Sequence, residues 1–283
     1  MEKDKKQTQQ KKIAWIKRRG SKKLLIGIIM VGIVALMVLV SLFWTPYDPN
    51  ETNLMSRLAA PSLKHPFGAD QLGRDILSRV MAGGQISLSI AIMSLVGTAA
   101  IGMVAGLLSG YYGGVVDDTF NIIADIRNSM PTTVIIIVCL SVFGSSVILM
   151  AILLAVVEWV SIFRTVRART MVEKKMDYVT AAYCAGASDA HVIFRYIMPN
   201  VISEVIVLTT LLISTIIITE ASLSYLGVGV ARPYPSWGRM VSDGRDYFPD
   251  KWWISAVPAL CIAVFVLGIN FLGDGIKQKL KME

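Results

Sequence analysis

The chain has 283 residues, 54% of them apolar and only 17% charged, whereas ordinary soluble domains carry about 25% charged residues. A soluble domain is excluded, and at roughly 20 residues per span the length accommodates six membrane spans with their loops. The net charge of +8 is concentrated in a basic run at 3–23, which directly precedes an apolar stretch and so reads as a topology signal attracted to anionic membrane lipid, not as a nucleic-acid-binding arm.

The first span is predicted at 24–43, 20 residues without a charge that as a helix cover about 30 Å. It exceeds the 7–15-residue apolar core of a signal peptide and no small-residue cleavage pattern follows, so it reads as an uncleaved anchor. In the outer segment that comes next, Asp70 with Arg74 and Asp75 with Arg79 are spaced for helical ion pairs of about 0.2–0.5 kcal/mol each. Leu72, Ile76 and Val80 give that predicted helix an apolar stripe suited to lying on the bilayer. Further spans are predicted at 86–108, 119–143, 147–163, 201–221 and 254–272. The third contains Asp125 and Arg127 and is broken by Pro131, so its apolar part narrows to 132–143 with a kinked entry below it.

Lys and Arg counts orient the chain. With the N-terminus inside, the inner segments 1–23, 111–118, 164–199 and 274–283 hold 19 basic residues and the outer segments 45–84, 144–146 and 222–252 hold 8. Both termini and the polar island at 164–200 are therefore placed in the cytoplasm. Trp44, Trp159, Trp237, Trp252 and Trp253 lie near predicted span ends and read as aromatic-belt residues. Asp125, Arg127, Glu158 and Glu220 also fall near predicted span ends, where a charge costs least. Asp125, Pro131 and Glu220 are the candidates for a gate or an interface.

Reactive chemistry is not apparent. A nucleotide-binding P-loop needs Gly, four residues, then Gly-Lys-Ser or Gly-Lys-Thr, and the sequence has no Gly-Lys pair. His65 and His191 stand in loops, where solvation is the ordinary fate, and no catalytic or metal-ligand grouping accompanies them. Cys139, Cys184 and Cys261 are far apart and lack metal or disulfide spacing.

The island carries the most structure-specific pattern. Val172, Met176, Val179 and Tyr183 recur at helical spacing and predict a helix of about three turns with one apolar stripe. Gly186 can adopt the positive φ that ends a helix. Ser188 and Asp189 then supply an N-cap and first turn for a second short helix whose apolar positions are Val192, Ile193, Tyr196 and Ile197. Pro199 closes the unit and is placed to open the next span. Ala181, Ala182, Ala185 and Ala187 around Gly186 leave almost no bulk at the turn, which suits a blunt knob seated in another protein's groove or a hairpin packed against the membrane core.

The order Ala181-Ala182, three residues, Gly186, twelve residues, Pro199 resembles the cytoplasmic loop of permease subunits of ATP-binding-cassette importers, whose pattern begins Glu-Ala-Ala. Thr180, Tyr196 and Met198 stand where that pattern has Glu, Ile and Leu. The run from His65 to Arg79, the run Glu220-Ala-Ser-Leu-Ser-Tyr-Leu-Gly227-Val-Gly229 with Pro235-Ser-Trp237-Gly238 after it, and Asn270-Phe-Leu-Gly273-Asp274-Gly275 are similar to the dipeptide, oligopeptide and nickel branch, C-type permeases. The Asp-Pro-Arg ending often found there is replaced by Lys277 to Glu283. The likeness covers 24–276.

This resemblance implies an all-α integral membrane fold, the type I importer transmembrane domain with six helices, in a prokaryotic cell membrane. It divides the chain into a basic N-terminus (1–23), a first helix with the start of the external loop (24–67), a core permease domain (68–276) with a coupling loop at 164–200 and an external loop at 222–252, and a cytoplasmic tail (277–283). The implied partners are a second related permease, two ATPases and an external substrate-binding protein. ATP and Mg would bind the ATPases, with no cofactor or metal in this chain and no catalysis by it. Ala181, Ala182, Gly186, Ala187, Ser188, Asp189 and Pro199 would form the ATPase-coupling unit. The implied cargo is a short peptide or related solute; a nickel or metal-chelate importer of the same branch is the near alternative. A self-sufficient secondary transporter or channel is the distant one, and it would need coupling-ion carboxylates at the midplane.

Overall fold

Inside a bilayer every backbone N–H and C=O must be satisfied within the segment itself, so apolar runs of this length fold as helices. The computed structural model describes residues 2–231 and 233–280, with side chains described for 22–231 and 233–278. The basic residues 3–19 that weigh most in the orientation therefore lie outside the described side chains, and 281–283 lie outside the described residues. The helices are α1 (Glu2–Ser41), α2 (Ile76–Tyr112), α3 (Gly114–Asn128), α4 (Thr132–Phe143), α5 (Val147–Glu173), α6 (Asp177–Cys184), α7 (Asp189–Val192), α8 (Met198–Tyr225), α9 (Trp237–Gly244) and α10 (Trp253–Leu280). Among the described residues five helical stretches are long and apolar enough to span a membrane, and α3 with α4 adds a sixth if the pair is one broken span.

The helices overrun the predicted spans. The 37 residues of α2 extend about 55 Å, well beyond a hydrocarbon core of about 30 Å. Likewise α5 continues through Arg164, Arg167 and Arg169, because carboxylates meet those guanidiniums: Asp125 at 3.0 Å, Asp117 at 2.5 Å and Glu173 at 3.1 Å. Hydropathy alone reads those arginines as the end of the helix.

The bend expected near Pro131 is present, and α3 and α4 meet at 83°. Along α3, Asp117, Asp125 and Arg127 pair in turn with Arg167, Arg164 and Glu158 of α5, so the two helices run antiparallel. Glu158 accordingly sits in the middle of α5, not near a span end, and Arg127 3.7 Å away offsets its charge. With only 12 residues, α4 is about 18 Å long.

Small residues let the principal helices touch. A Cβ on Gly97, Gly102, Gly106 or Gly110 of α2 would come within 2.6–2.7 Å of Ala155, Ile162, Val166 or Arg167 of α5; the pair packs backbone to backbone, the usual basis of association where lipid tails remove the hydrophobic drive. In the same way α1 packs on α10 through Gly27, Gly268 and Gly275.

The outer segment departs from the sequence reading. Helix α2 begins at Ile76, and 68–75 is a non-helical turn closed by an isolated bridge between Ala69 and Asp75. Asp70 does pair with Arg74 at 2.7 Å, but within this turn. Asp75 instead caps α2 by accepting from the Ser78 N–H at 2.8 Å and binds His65 Nδ1 at 2.9 Å, while Arg79 turns to Asp70. Ile76 and Val80 are buried, so no apolar stripe lies on the bilayer, and His65 is buried, not solvated. Gly73 explains the tight turn: its φ is +71° and a Cβ would fall 1.7 Å from the Asn53 carbonyl oxygen. Of the five belt tryptophans, Trp44 and Trp252 are exposed, but Trp159, Trp237 and Trp253 are packed inside.

Candidate functional site

The polar island is two arms and a tip. Its first ten residues are the end of α5, a break at 174–176 follows, and α6 starts at Asp177. The predicted single stripe is thereby divided: Val179 is buried, while Val172, Met176 and Tyr183 are exposed. The inward face of α6 is made by Val179 and Ala182. At its end the Gly186 N–H donates to the Tyr183 carbonyl at 2.9 Å and the Ala187 N–H to the Ala182 carbonyl at 3.0 Å. This paired 5→2 and 6→1 closure requires a left-handed residue, and Gly186 supplies it at φ +83°. Ser188 caps α7 by accepting from the His191 N–H at 3.4 Å.

Pro199 does not interrupt the chain. Helix runs on from Asp189 to Tyr225, and a π turn over Ile193–Ile197 precedes the proline. Widening the turn accommodates a residue that has no N–H to donate.

Burial separates the tip from its support. Ala181, Ala185, Gly186, Ser188 and Asp189 are exposed, Ala187 is half-buried, and Ala182 is only 7% exposed. Ala182 therefore faces inward, into a core made with Val179, Val192, Ile193 and Ile197 of the loop, Leu107 and Tyr111 of α2, Ile162 and Val166 of α5, and Val201 and Val205 of α8. The Ala182 side chain is part of this support and not of the exposed tip. One hydrophobic cluster thus fastens the loop to three long helices.

Polar contacts tie the two arms. Tyr178 donates to Glu173 and accepts from Asn200 Nδ2 at 3.0 Å, and Arg169 joins Glu173 to Glu204 at 3.1 and 3.3 Å. Burial, reinforced by the Glu173 hydrogen bond and charge, pushes the Tyr178 phenol above its ordinary pKa. Tyr183 is raised for the same first reason, with the Asp189 charge second, and it donates to Asp189 at 3.4 Å. At the end of α2, the Tyr111 hydroxyl donates to Asp189 at 2.7 Å and lies against that of Tyr183. Lys174 Nζ donates to the Tyr111 carbonyl at 2.6 Å. Neither Tyr111 nor Lys174 belongs to a periodic apolar pattern, so sequence alone does not single them out.

The remaining candidates lie apart from the loop tip. Asp125 is exposed in its pair with Arg164, and Pro131 is the N-cap of α4 at the bend. Glu220 is fully enclosed within the chain, accepting from Ser87 Oγ at 3.1 Å and Ser224 Oγ at 2.7 Å. It joins α2 to α8 and, through the Trp237 N–H on Ser87 at 3.3 Å, to α9; it does not face an opening. Among the described residues no group of three or more His, Cys, Asp or Glu is placed to hold a metal.

Long glycine-packed spans, with a small-tipped loop fastened to three of them, make a multi-pass membrane protein. The chain belongs to the family described as binding-protein-dependent transport system inner membrane component, whose model matches residues 102–282. It is 35% identical to the oligopeptide transport system permease protein OppC of Bacillus subtilis, over 95% of this chain and 88% of that protein. A Brucella ovis chain with the provisional name of peptide permease is 35% identical over 89% of this chain and 84% of its own length. The fold also matches a chain of the MetNI methionine ABC transporter, solved in inward-facing conformations, with a TM-score of 0.56 at 19% identity over 69% of this chain and 93% of that one. The resemblance read from the sequence agrees with all three comparisons, and the self-sufficient transporter or channel finds no support in them.

Proposed function

We propose that this chain is one transmembrane subunit of an ATP-driven importer of short peptides in a prokaryotic cell membrane, and that loop 164–200 is the part gripped by an ATPase. The observation that carries the reading is the division within the loop: Ala181, Ala185 and Gly186 form an exposed tip without bulk, over a core continuous with α2, α5 and α8. A force on the tip is then delivered to three spans at once, which is how a binding event becomes a two-state gate. ATP and Mg bind the two ATPases, a second permease completes the pathway, and an external protein delivers the solute. Both termini are cytoplasmic. The 35% identical oligopeptide permease favours peptides over metal chelates as cargo.

The division at 23, 67 and 276 goes with this reading, 68–276 forming the core permease domain. The bend at Pro131 and the exposed Asp125–Arg164 pair favour α3 and α4 as the gating or permease–permease face. Glu220, sealed inside the subunit, serves cohesion in this scheme.

The test is to add bulk outside the loop's core. In proteoliposomes containing both permeases, both ATPases and peptide-loaded binding protein, Ala185→Trp should abolish uptake and peptide-stimulated hydrolysis while membrane insertion and folded yield stay normal. Normal uptake by a correctly inserted Ala185→Trp complex would sink the reading.

A further inference from the structure

Both arms of the loop converge on a single residue of α2. From the incoming arm, Lys174 Nζ donates to the Tyr111 carbonyl at 2.6 Å and its ammonium lies 5.2 Å from the Tyr111 ring centroid. A cation there also complements the partial negative charge at a helix C-terminus. From the returning arm, Asp189 accepts the Tyr111 hydroxyl at 2.7 Å. Asp189 is the first residue of α7, directly after the Ser188 cap. Tyr183 adds a second phenol to the same carboxylate. Charge-assisted hydrogen bonds of this kind are shorter and about twice as strong as neutral ones.

The Tyr111 side chain is 3% exposed, below the tip and not on it. The apolar cluster beneath the loop holds α2 as well, through Leu107 and the Tyr111 ring, but apolar contacts are non-directional and permit sliding. The hydroxyl–carboxylate bond has a fixed partner and direction. At its other end the same unbroken helix bears the Asp75 cap with His65 and, three turns in, Ser87 on Glu220. Anything that displaces the end at Tyr111 therefore displaces a rod that reaches the outer loops.

We propose that Tyr111 is a positioning residue for coupling: its hydroxyl, held by Asp189, converts movement of the loop tip into movement of α2. This rests on the reading of loop 164–200 as the ATPase contact. Losing the hydroxyl leaves the tip available to the ATPase and the ring in the core, so hydrolysis continues while α2 no longer follows.

The experiment compares Tyr111→Phe with Ala185→Trp in the same reconstituted four-subunit complex with peptide-loaded binding protein, reading peptide taken up, ATP hydrolysed and thermal stability. For Tyr111→Phe, ATP hydrolysis stays within about twofold of the unmodified complex, whereas peptide moved per ATP falls at least about fivefold, the loss of one directional contact of roughly 1 kcal/mol or more. In the Tyr111→Phe background Asp189→Asn removes only the longer Tyr183 contact at 3.4 Å and lowers peptide per ATP by less than it does alone; a drop equal to that of Asp189→Asn alone overturns the proposal. Unchanged peptide per ATP in Tyr111→Phe overturns it, as does an equal fall of hydrolysis and uptake, which would mark a merely structural hydroxyl. Should the ATPase contact itself be misplaced, Ala185→Trp transports normally; should only the Tyr111 link be wrong, Ala185→Trp is inactive and Tyr111→Phe is normal.

Discussion

The two ends of α2 are built on opposite plans. Its outer half is locked by buried polar groups and by contacts too close for a side chain: Asp75 with His65 and Ser78, Ser87 with Glu220 and Trp237, and Gly84 against Val38 and Trp237, while beside it α9 sits on α8 through Gly238 against Ala221. Its inner end meets a loop with an apolar interior and an exposed tip of alanines and glycine. A buried polar network specifies one arrangement because leaving any member unpaired is costly. The inner loop has instead a firm base and a blank outer surface, which suits an element whose partner comes from another chain.

Substitutions at the two ends should break this contrast in different ways. The largest effect belongs to Gly238→Val at the outer end, where a Cβ would lie 2.3 Å from the Ala221 carbonyl oxygen. Separating α9 from α8 should cost about 3 kcal/mol, read as loss of folded protein in detergent. Nearly as large is Ala182→Asp, which buries a carboxylate among Val179 and Val192 at about 3 kcal/mol. Here the damage should be local: proteolysis should open 164–200 first, with the outer segment still protected. If the whole chain unfolds in one step, the loop is not the separable unit described here.

A smaller effect is expected from pH. The Tyr178 and Tyr183 phenols are raised in the folded loop, so folding favours their protonated forms. That contribution is complete below the unfolded phenol value of about 10 and is lost as pH rises through the higher folded values. Protease resistance of 177–200 should therefore be flat from about pH 7 to 9 and decline only above about 10. A decline beginning near neutrality would contradict the hydrogen-bonded placement of these two residues.

Sequence made the membrane class, five of the spans and the turn at Gly186 legible because each rests on a local signal: an apolar run, a left-handed glycine, a serine before an aspartate. The kink at Pro131 was visible for the same reason. What local pattern could not supply was partner choice across the fold. Asp75 and Arg79 have helical spacing, yet Asp75 was taken up by His65 and by the cap of α2. Ala182 could not be told from Ala181 or Ala185 by composition, and only the packing of α6 turned it inward. Hydropathy puts Glu158 near a span end because Arg164 looks like a stop, whereas Arg164 pairs with Asp125 and α5 continues. Tyr111 and Lys174 became visible only when α2 and the loop met in space.

The central claim, that the tip around Gly186 is covered by an ATPase, can be tested with a residue the chain already has. Cys184 is exposed beside the tip, whereas Cys139 and Cys261 are half-buried in α4 and α10. Maleimide labelling of Cys184 should be rapid in the permease pair alone and slowed at least about tenfold, a protection of about 1.4 kcal/mol, once the two ATPases are bound. Equal labelling of Cys184 in the permease pair and in an actively transporting complex would contradict the account.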